Sequence, residues 1–256
     1  MSYGFLIDTT LCIGCEACMD ACHELHNQPD TENYELSDNN LTVVKNYTMG
    51  EIDIYYRKLC MHCENPSCVS VCPVGAFVKT KEGAVIYDGS KCMGCRYCLL
   101  ACPFDVPKYE WKNILPLVKK CDMCYDRIKE GSKPACAEAC PTEATLYGKR
   151  NELIQIARDR IKSEPEKYHP YIYGLKEASG TSVLIISSVS LNKLGFKAKN
   201  YQEAFPNYTW KVMREIPNIV TFGGIFLSGL WWIINRRIDL QKIDIDGTEL
   251  PQEEGK

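Results

Sequence analysis

"KCMGCRYCLLACPFDVP", residues 91–107, sets four cysteines two, two and three residues apart and follows the last with Pro103. The arrangement recurs three more times and absorbs all sixteen cysteines of the 256-residue chain. Quartet one is Cys12, Cys15, Cys18 and Cys22, in "CIGCEACMDAC". Quartet two is Cys60, Cys63, Cys68 and Cys72, in "CMHCENPSCVSVCP", with one gap widened to four. Quartet three is the stretch quoted first, Cys92, Cys95, Cys98 and Cys102. Quartet four is Cys121, Cys124, Cys136 and Cys140, where "CDMC" and "CAEACP" stand either side of an eleven-residue loop.

Each iron of an iron–sulfur cubane takes one thiolate. Three cysteines at C-x2-C-x2-C can wrap three corners from a single loop; the fourth lies a helical turn on and points elsewhere, and in bacterial two-cluster ferredoxins it ligates the other cluster. A proline after it suits a chain that leaves the turn there. Quartets of this kind work in pairs, so four of them make two pairs and four [4Fe-4S] clusters. Zinc is the competing metal, but its all-cysteine sites use two C-x2-C hooks and have no use for a third cysteine in the same loop. Eight disulfides would suit an even count in a small secreted protein. The chain opens "MSYGFLIDTTLCIGC", however, without the basic stretch and apolar run of a secretory signal. A purely structural role needs fewer than four clusters, which leaves electron relay as the better reading.

Quartets two and three are joined by "PVGAFVKTKEGAVIYDGSK", which reads as a hairpin with apolar runs flanking Thr80-Lys81-Glu82-Gly83. A small dicluster ferredoxin is built that way. Quartet one is then left for quartet four, with one ferredoxin unit nested inside the other. Spacing leaves a sequential pairing, one with two and three with four, as the alternative. In the nested arrangement Cys102 completes Cys60, Cys63 and Cys68, while Cys72 completes Cys92, Cys95 and Cys98. Likewise Cys140 completes Cys12, Cys15 and Cys18, and Cys22 completes Cys121, Cys124 and Cys136.

Cations crowd the quartets: Arg57 and Lys58 before Cys60, Lys91 before Cys92, Arg96 inside quartet three, Lys119 and Lys120 before Cys121. Positive charge beside a cluster favours the added electron and raises its potential; an ordinary solvated lysine is the competing reading of each. His23, standing where quartet one lacks its proline, and His62 can donate to sulfur, although a loop histidine without electronic role is the plainer account of both.

Beyond the quartets, "NELIQIARDRIKSEP" predicts a helix capped by Asn151, with a stripe of Leu153, Ile154, Ile156 and Ile161, ended by Pro165. "GTSVLIISS", Gly180 to Ser188, predicts a short buried strand. Between Glu215 and Arg236 lie twenty uncharged residues, "IPNIVTFGGIFLSGLWWIIN". As a helix they span roughly 30 Å, the hydrocarbon thickness of a bilayer. Tyr208, Trp210, Trp231 and Trp232 sit where aromatic belts belong. Gly224 and Ser228 form a small-xxx-small pair suited to close packing on a membrane partner. Arg236, Arg237 and Lys242 outnumber Lys211 and Arg214 by one, which favours a cytoplasmic tail and the cluster domain on the outer, periplasmic face, with a cluster domain on the cytoplasmic face as the alternative. A buried soluble helix is the competing reading, and with it a diffusible polyferredoxin.

The formal net charge of −3 argues against nucleic acid as a partner. The chain has no Rossmann or phosphate-loop fingerprint, no nucleophile elbow, no HExxH and no CxxCH, so no catalytic residue is expected. The predicted fold is α+β: two nested bacterial dicluster ferredoxin-like units over residues 1–150, a helix, strand and connector packing on them over 151–215, one transmembrane helix over 216–235 and a polar tail over 236–256.

"LIDTTLCIGCEACMDACHE", "CMHCENPSC", "CMGCRYCLLACPFDVPKYE" and "KCDMCYDRIKEGSKPACAEACPTEATLYG" closely resemble the four-cluster iron–sulfur subunits of respiratory oxidoreductases. The beta subunit of membrane-bound formate dehydrogenase and the electron-transfer subunit of hydrogenase 2 are the nearest in pattern. "GTSVLIISSVSLNKLGF" followed by a single C-terminal helix narrows the likeness to the membrane-anchored branch. The resemblance implies the nested pairing, and a relay between a catalytic subunit and an integral membrane subunit, a cytochrome b or polytopic quinone-binding protein, that exchanges electrons with quinone. Nitrate reductase beta subunits, which are similar, replace one quartet-three cysteine by tryptophan; here Cys92, Cys95 and Cys98 are all present, so four [4Fe-4S] clusters are implied. The resemblance further implies that a chain without its own signal is exported with a partner bearing a twin-arginine signal.

Overall fold

The run Phe5-Leu6-Ile7 is apolar at every position, and its strand, β1 (Tyr3–Asp8), is buried on both faces. In the computed structural model, which describes residues 2–29, 33–196 and 205–241, β1 is the centre of a three-stranded sheet. Two bodies are distinguished, residues 1–206 and 207–256.

Along the first body, β1 is followed by α1 (Ala17–His26), β2 (Thr42–Met49), β3 (Ile52–Leu59), α2 (Ser67–Ser70), β4 (Phe77–Lys79), β5 (Val85–Tyr87) and α3 (Tyr97–Ala101). There follow β6 (Lys108–Tyr109), β7 (Val118–Lys119), α4 (Tyr125–Lys129), α5 (Ala135–Glu138), β8 (Thr145–Lys149), α6 (Arg150–Ser163) and β9 (Val183–Ile186). Strand β1 pairs antiparallel with β8, from Tyr3↔Lys149 to Ile7↔Thr145, and parallel with β9, from Phe5↔Val183 to Asp8↔Ile186. The strand that precedes quartet one is thereby zipped to the strand that follows quartet four.

Successive side chains of a strand face opposite ways, and the sheet uses both faces. Leu6, Leu184 and Ile186 pack with Leu153 and Ala157 of α6. Phe5, Ile7, Val183 and Ile185 join the larger core that contains Cys22, Cys60, Cys121 and Cys136. Each such aliphatic side chain contributes about 2 kcal/mol on burial. Asp8, wholly buried at the end of β1, accepts from Arg160 Nη1 (2.8 Å), Tyr168 Oη (2.8 Å) and Thr10 N (3.0 Å). That junction ties α6 to the chain as it enters quartet one.

The hairpin expected around residues 80–83 is present: Phe77↔Tyr87 to Lys79↔Val85, closed by Thr80 N donating to Ala84 O at 2.8 Å. Its tip is seated on β1, with Tyr3 N donating to Glu82 O at 2.7 Å. Gly83 (φ +105°) is required there, because a Cβ would meet Tyr3 O at 2.4 Å. The strand expected within Gly180–Ser188 is β9, buried throughout. Two details of the helix expected after quartet four are corrected. Lys149, not Asn151, is its N-cap, without a side-chain cap, because β8 runs straight into the first turn. Ile156 is 37% exposed, and Ala157 takes the buried place on the stripe. A longer hairpin, β2–β3, goes beyond the sequence reading: its strands pair from Thr42↔Leu59 to Met49↔Ile52 around Gly50-Glu51.

Helix α7 (Phe205–Met213) leads into the second body, whose helix α8 (Ile216–Gln241) contains the whole apolar stretch 216–235. Residues Tyr208–Leu240 are long and apolar enough to cross a membrane, and Phe222, Phe226, Trp231 and Trp232 are exposed along it. Arg236 and Arg237 lie within α8. Lys242 and the rest of the tail beyond Gln241 lie outside the described residues.

Candidate iron–sulfur centres

The four C-x-x-C hooks share one backbone form. The residue before the second cysteine is left-handed in each: Gly14 (φ +72°), His62 (+45°), Gly94 (+73°) and Met123 (+64°). This bend turns the N–H of that residue back on the hook's first thiol, Gly94 N to Cys92 Sγ and Met123 N to Cys121 Sγ at 3.4 Å each, and Gly14 on Cys12 likewise. Glycine adopts the bend without cost. His62 and Met123 do not, at about 1–3 kcal/mol each, and both are completely buried, so packing holds them there. Gly14 is needed twice over, since a Cβ would sit 2.5 Å from the Tyr55 ring.

The third cysteine of every quartet, Cys18, Cys68, Cys98 or Cys136, is the second residue of a short helix. In quartets two to four that helix stops at or just before the fourth cysteine, which Pro73, Pro103 or Pro141 follows. Quartet one has His23 instead, and α1 continues through Cys22 to His26.

The structure brings fourth cysteines to the hooks of other quartets. Helix α1 packs on α5, and α2 on α3. Cys140 lies beside Cys12 and Cys18; with Cys15 these four line one cavity. Cys22 lies beside Cys124 and Cys136, and Cys121 beside Cys136 and Cys22. Cys102 stands with Cys60, Cys63 and Cys68. Cys98 stands with Cys92 and Cys95, and Cys72 shares an apolar layer with Cys98, Val71 and Phe77. Three further approaches link these groups: Cys18 to Cys136, Cys121 to Cys60, and Cys68 to Cys98.

Burial dominates the electrostatics. It pushes Cys18 up to about 11 and Cys22 and Cys68 up to about 12, with like-charged thiol neighbours adding to the effect. Thiols this deep ionise only when a cation compensates them. All sixteen cysteines are free thiols, most of them beside cysteines of another quartet, and backbone N–H groups are aimed at sulfur. Ala76 N donates to Cys72 Sγ at 3.2 Å in the same way. Such donor sets fit thiolate-ligated iron–sulfur clusters, whose sulfurs take just such hydrogen bonds.

Of the cations named from the sequence, two are buried among cysteines. Arg57 is 2% exposed and faces Cys136, Cys18 and Cys121 rather than its sequence neighbour Cys60. Lys120 Nζ donates to Cys121 O (2.8 Å) and to Val85 O. The others serve elsewhere: Lys58 lies over the Tyr56 and Phe196 rings, Lys91 pairs with Asp88, Lys119 pairs with Glu110, and Arg96 stacks on Tyr109 and Trp111. Sequence reasoning missed Lys79, whose Nζ donates to His62 O (3.0 Å) and Gly83 O (2.9 Å) beside Cys63 and Cys60. His23 is a packing residue, bonded to Asn40 Oδ1 at 2.8 Å. The His62 ring accepts from Val85 N at Nδ1 (2.9 Å), which puts the neutral ring's proton on Nε2; that buried nitrogen has no partner among the described residues.

Two stretches of the chain match the 4Fe-4S dicluster domain, residues 11–76 and residues 52–150. A protein of Nitratidesulfovibrio vulgaris is 38% identical over 250 residues, covering 92% of this chain and 68% of its own length. Hydrogenase-2 operon protein HybA of Escherichia coli O157:H7 is 36% identical over 236 residues, covering 75% of this chain and 72% of its own. This chain is a ferredoxin-type iron–sulfur electron-transfer subunit of the respiratory oxidoreductase family. The nitrate-inducible formate dehydrogenase iron–sulfur subunit of Escherichia coli K12 is another relative, 34% identical over 197 residues, or 71% of this subunit and 66% of that one. The matched dicluster stretches contain every cysteine of the four quartets.

Proposed function

We propose that this subunit holds four [4Fe-4S] clusters in two nested dicluster units and relays single electrons between a catalytic oxidoreductase subunit and a quinone-interacting membrane subunit. The ligand sets are Cys12, Cys15, Cys18 with Cys140; Cys121, Cys124, Cys136 with Cys22; Cys60, Cys63, Cys68 with Cys102; and Cys92, Cys95, Cys98 with Cys72. Each cluster, when bound, supplies reversible one-electron storage.

The observation that carries the reading is the crossing of fourth cysteines: Cys140 stands at the hook of quartet one and Cys102 at the hook of quartet two. The approaches of Cys18 to Cys136, Cys121 to Cys60 and Cys68 to Cys98 support a single line of sets, in the order Cys12, Cys121, Cys60, Cys92 by first member. The burial pattern supports the same line. Cys22, Cys121, Cys124 and Cys136 are all buried, whereas the first and last sets each expose one cysteine, Cys15 and Cys95. The inner residues shield from water, and the outer ones offer a partner an entry and an exit. Relatives named for hydrogenase-2 and formate dehydrogenase support a catalytic partner of that class. Helix α8 supports a single-pass anchor, and the excess of Arg236, Arg237 and Lys242 over Lys211 and Arg214 favours its C-terminal end on the cytoplasmic side, with the clusters on the outer face.

The test is anaerobic purification of the full chain in mild detergent. A brown protein with about sixteen irons (four cubanes of four) and matching acid-labile sulfide is expected, with a catalytic and a polytopic subunit co-purifying. A colourless zinc protein, or one that stays soluble and alone without detergent, overturns the reading.

A further inference from the structure

Arg57 is carried on β3 out of sequence register with its spatial neighbours. Its side chain forms part of the wall of the cavity lined by Cys12, Cys15, Cys18 and Cys140 and lies within reach of Cys136. Its charge also bears on Cys12 and Cys22. The groups that hold it are neutral: Nε donates to Thr42 Oγ1 at 2.6 Å, Nη1 donates to Thr145 Oγ1 at 3.2 Å, and the guanidinium lies 5.9 Å from the centre of the Phe5 ring. Among the described residues no carboxylate pairs with it. A guanidinium does not lose its proton in a protein, and a buried cation without a counter-charge is costly. Among the described residues, the only negative charge that faces it is that of cysteine thiolates and of the clusters they would hold.

We infer that Arg57 is the shared internal counter-cation of two clusters, those of the Cys12, Cys15, Cys18, Cys140 set and the Cys121, Cys124, Cys136, Cys22 set, and that it raises the potential of both. The inference rests on the ligand sets proposed above. The two threonines fix Nε and Nη1 of the planar fork while its charge reaches cysteines of both sets, a geometry that a compact ammonium on a lysine stem reproduces less well. A cluster held by either set would gain one unit of negative charge on one-electron reduction by a donor, and the permanent charge of Arg57 would balance it with no proton required. Arg57 therefore acts as a tuning residue toward the cofactors and takes no part in bond making.

The experiment is an equilibrium redox titration of the full-length holoprotein, followed by electron paramagnetic resonance, for the unaltered chain, Arg57→Met and Arg57→Lys, with iron and labile sulfide measured on each sample. At a fixed potential, Arg57→Met is expected to lower the reduced-to-oxidised ratio about tenfold for two of the four clusters, equivalent to about 59 mV for a one-electron couple. The other two clusters should stay where they were, and Arg57→Lys should recover most of the shift. If Arg57→Met fails to load the Cys12 and Cys121 sets while Arg57→Lys loads all four, the counter-charge is needed for assembly as well, and the inference stands. Four loaded clusters with unmoved potentials in Arg57→Met, a shift confined to the other pair, or a failure of Arg57→Lys to load overturns it. Fewer than four clusters in the unaltered chain instead defeats the ligand sets, a separate outcome.

Discussion

Quartets one and four enclose an arginine; quartets two and three enclose Lys79, and Lys120, bonded to the Cys121 carbonyl, stands where the halves meet. In the first half Arg57 is held by hydroxyls alone and reaches cysteines of two sets. In the second half Lys79 is fixed by backbone carbonyls, Ser182 Oγ (3.0 Å) and the Glu64 carboxylate (3.5 Å), next to Cys63 and Cys60, while Lys120 bears on Cys68. A delocalised fork can stand between two anionic sites, and a point charge on a flexible stem attends one. The halves also differ in how their helices end. In quartets two to four the helix ends before Cys72, Cys102 or Cys140 and a proline follows that cysteine, but α1 runs past Cys22 and places His23 on Asn40.

The difference between the halves can be broken most forcefully at the crossed cysteines. Cys140→Ala and Cys102→Ala should each cost about a quarter of the iron, one cubane of four. The lost resonance should belong to the Cys12 set in the first variant and to the Cys60 set in the second. Loss of the Cys92 set on changing Cys140 would instead favour the sequential pairing. Next in size, His23→Pro makes quartet one resemble the other three. It removes an N–H from the interior of α1 together with the Asn40 contact, and should lower stability by about 3 kcal/mol, read as a lower unfolding temperature with less helical circular dichroism. Last, Gly14→Ala and Gly94→Ala impose the same backbone strain in the two halves with different neighbours. At Gly14 the added carbon meets the Tyr55 ring at 2.5 Å, and at Gly94 only the Tyr109 hydroxyl at 2.9 Å. Denaturant titration should give about 3 kcal/mol for the first and about 1 kcal/mol for the second; equal losses would mean that the backbone bend alone matters.

The sequence is explicit where chemistry and spacing coincide. The quartets identify themselves, and the turn between Thr80 and Gly83 is visible because a polar, glycine-ended run separates two apolar ones. The β2–β3 hairpin was equally open to reading from its β-branched runs around Gly50-Glu51. What nearness in sequence conceals is the direction of a strand side chain. Arg57 stands three residues before Cys60, yet in an extended chain that is about 10 Å and an opposite face, so its charge falls on a different pair of quartets. The cap at Asn151 was misjudged for a related reason: capping rules assume that a loop precedes the helix, and here a strand does. The left-handed bend was legible at Gly14 and Gly94 but not at His62 and Met123, where tertiary packing imposes on ordinary residues what glycine accepts freely.

Cys15 and Cys95 are the two cysteines left open to solvent. Oxygen and peroxide attack iron–sulfur sites through such openings, so on the proposed ligand sets the two ends of the line are where corrosion should start. A sample exposed to air should go dead at its contacts while its middle still holds iron, like a cable whose core survives the loss of both plugs.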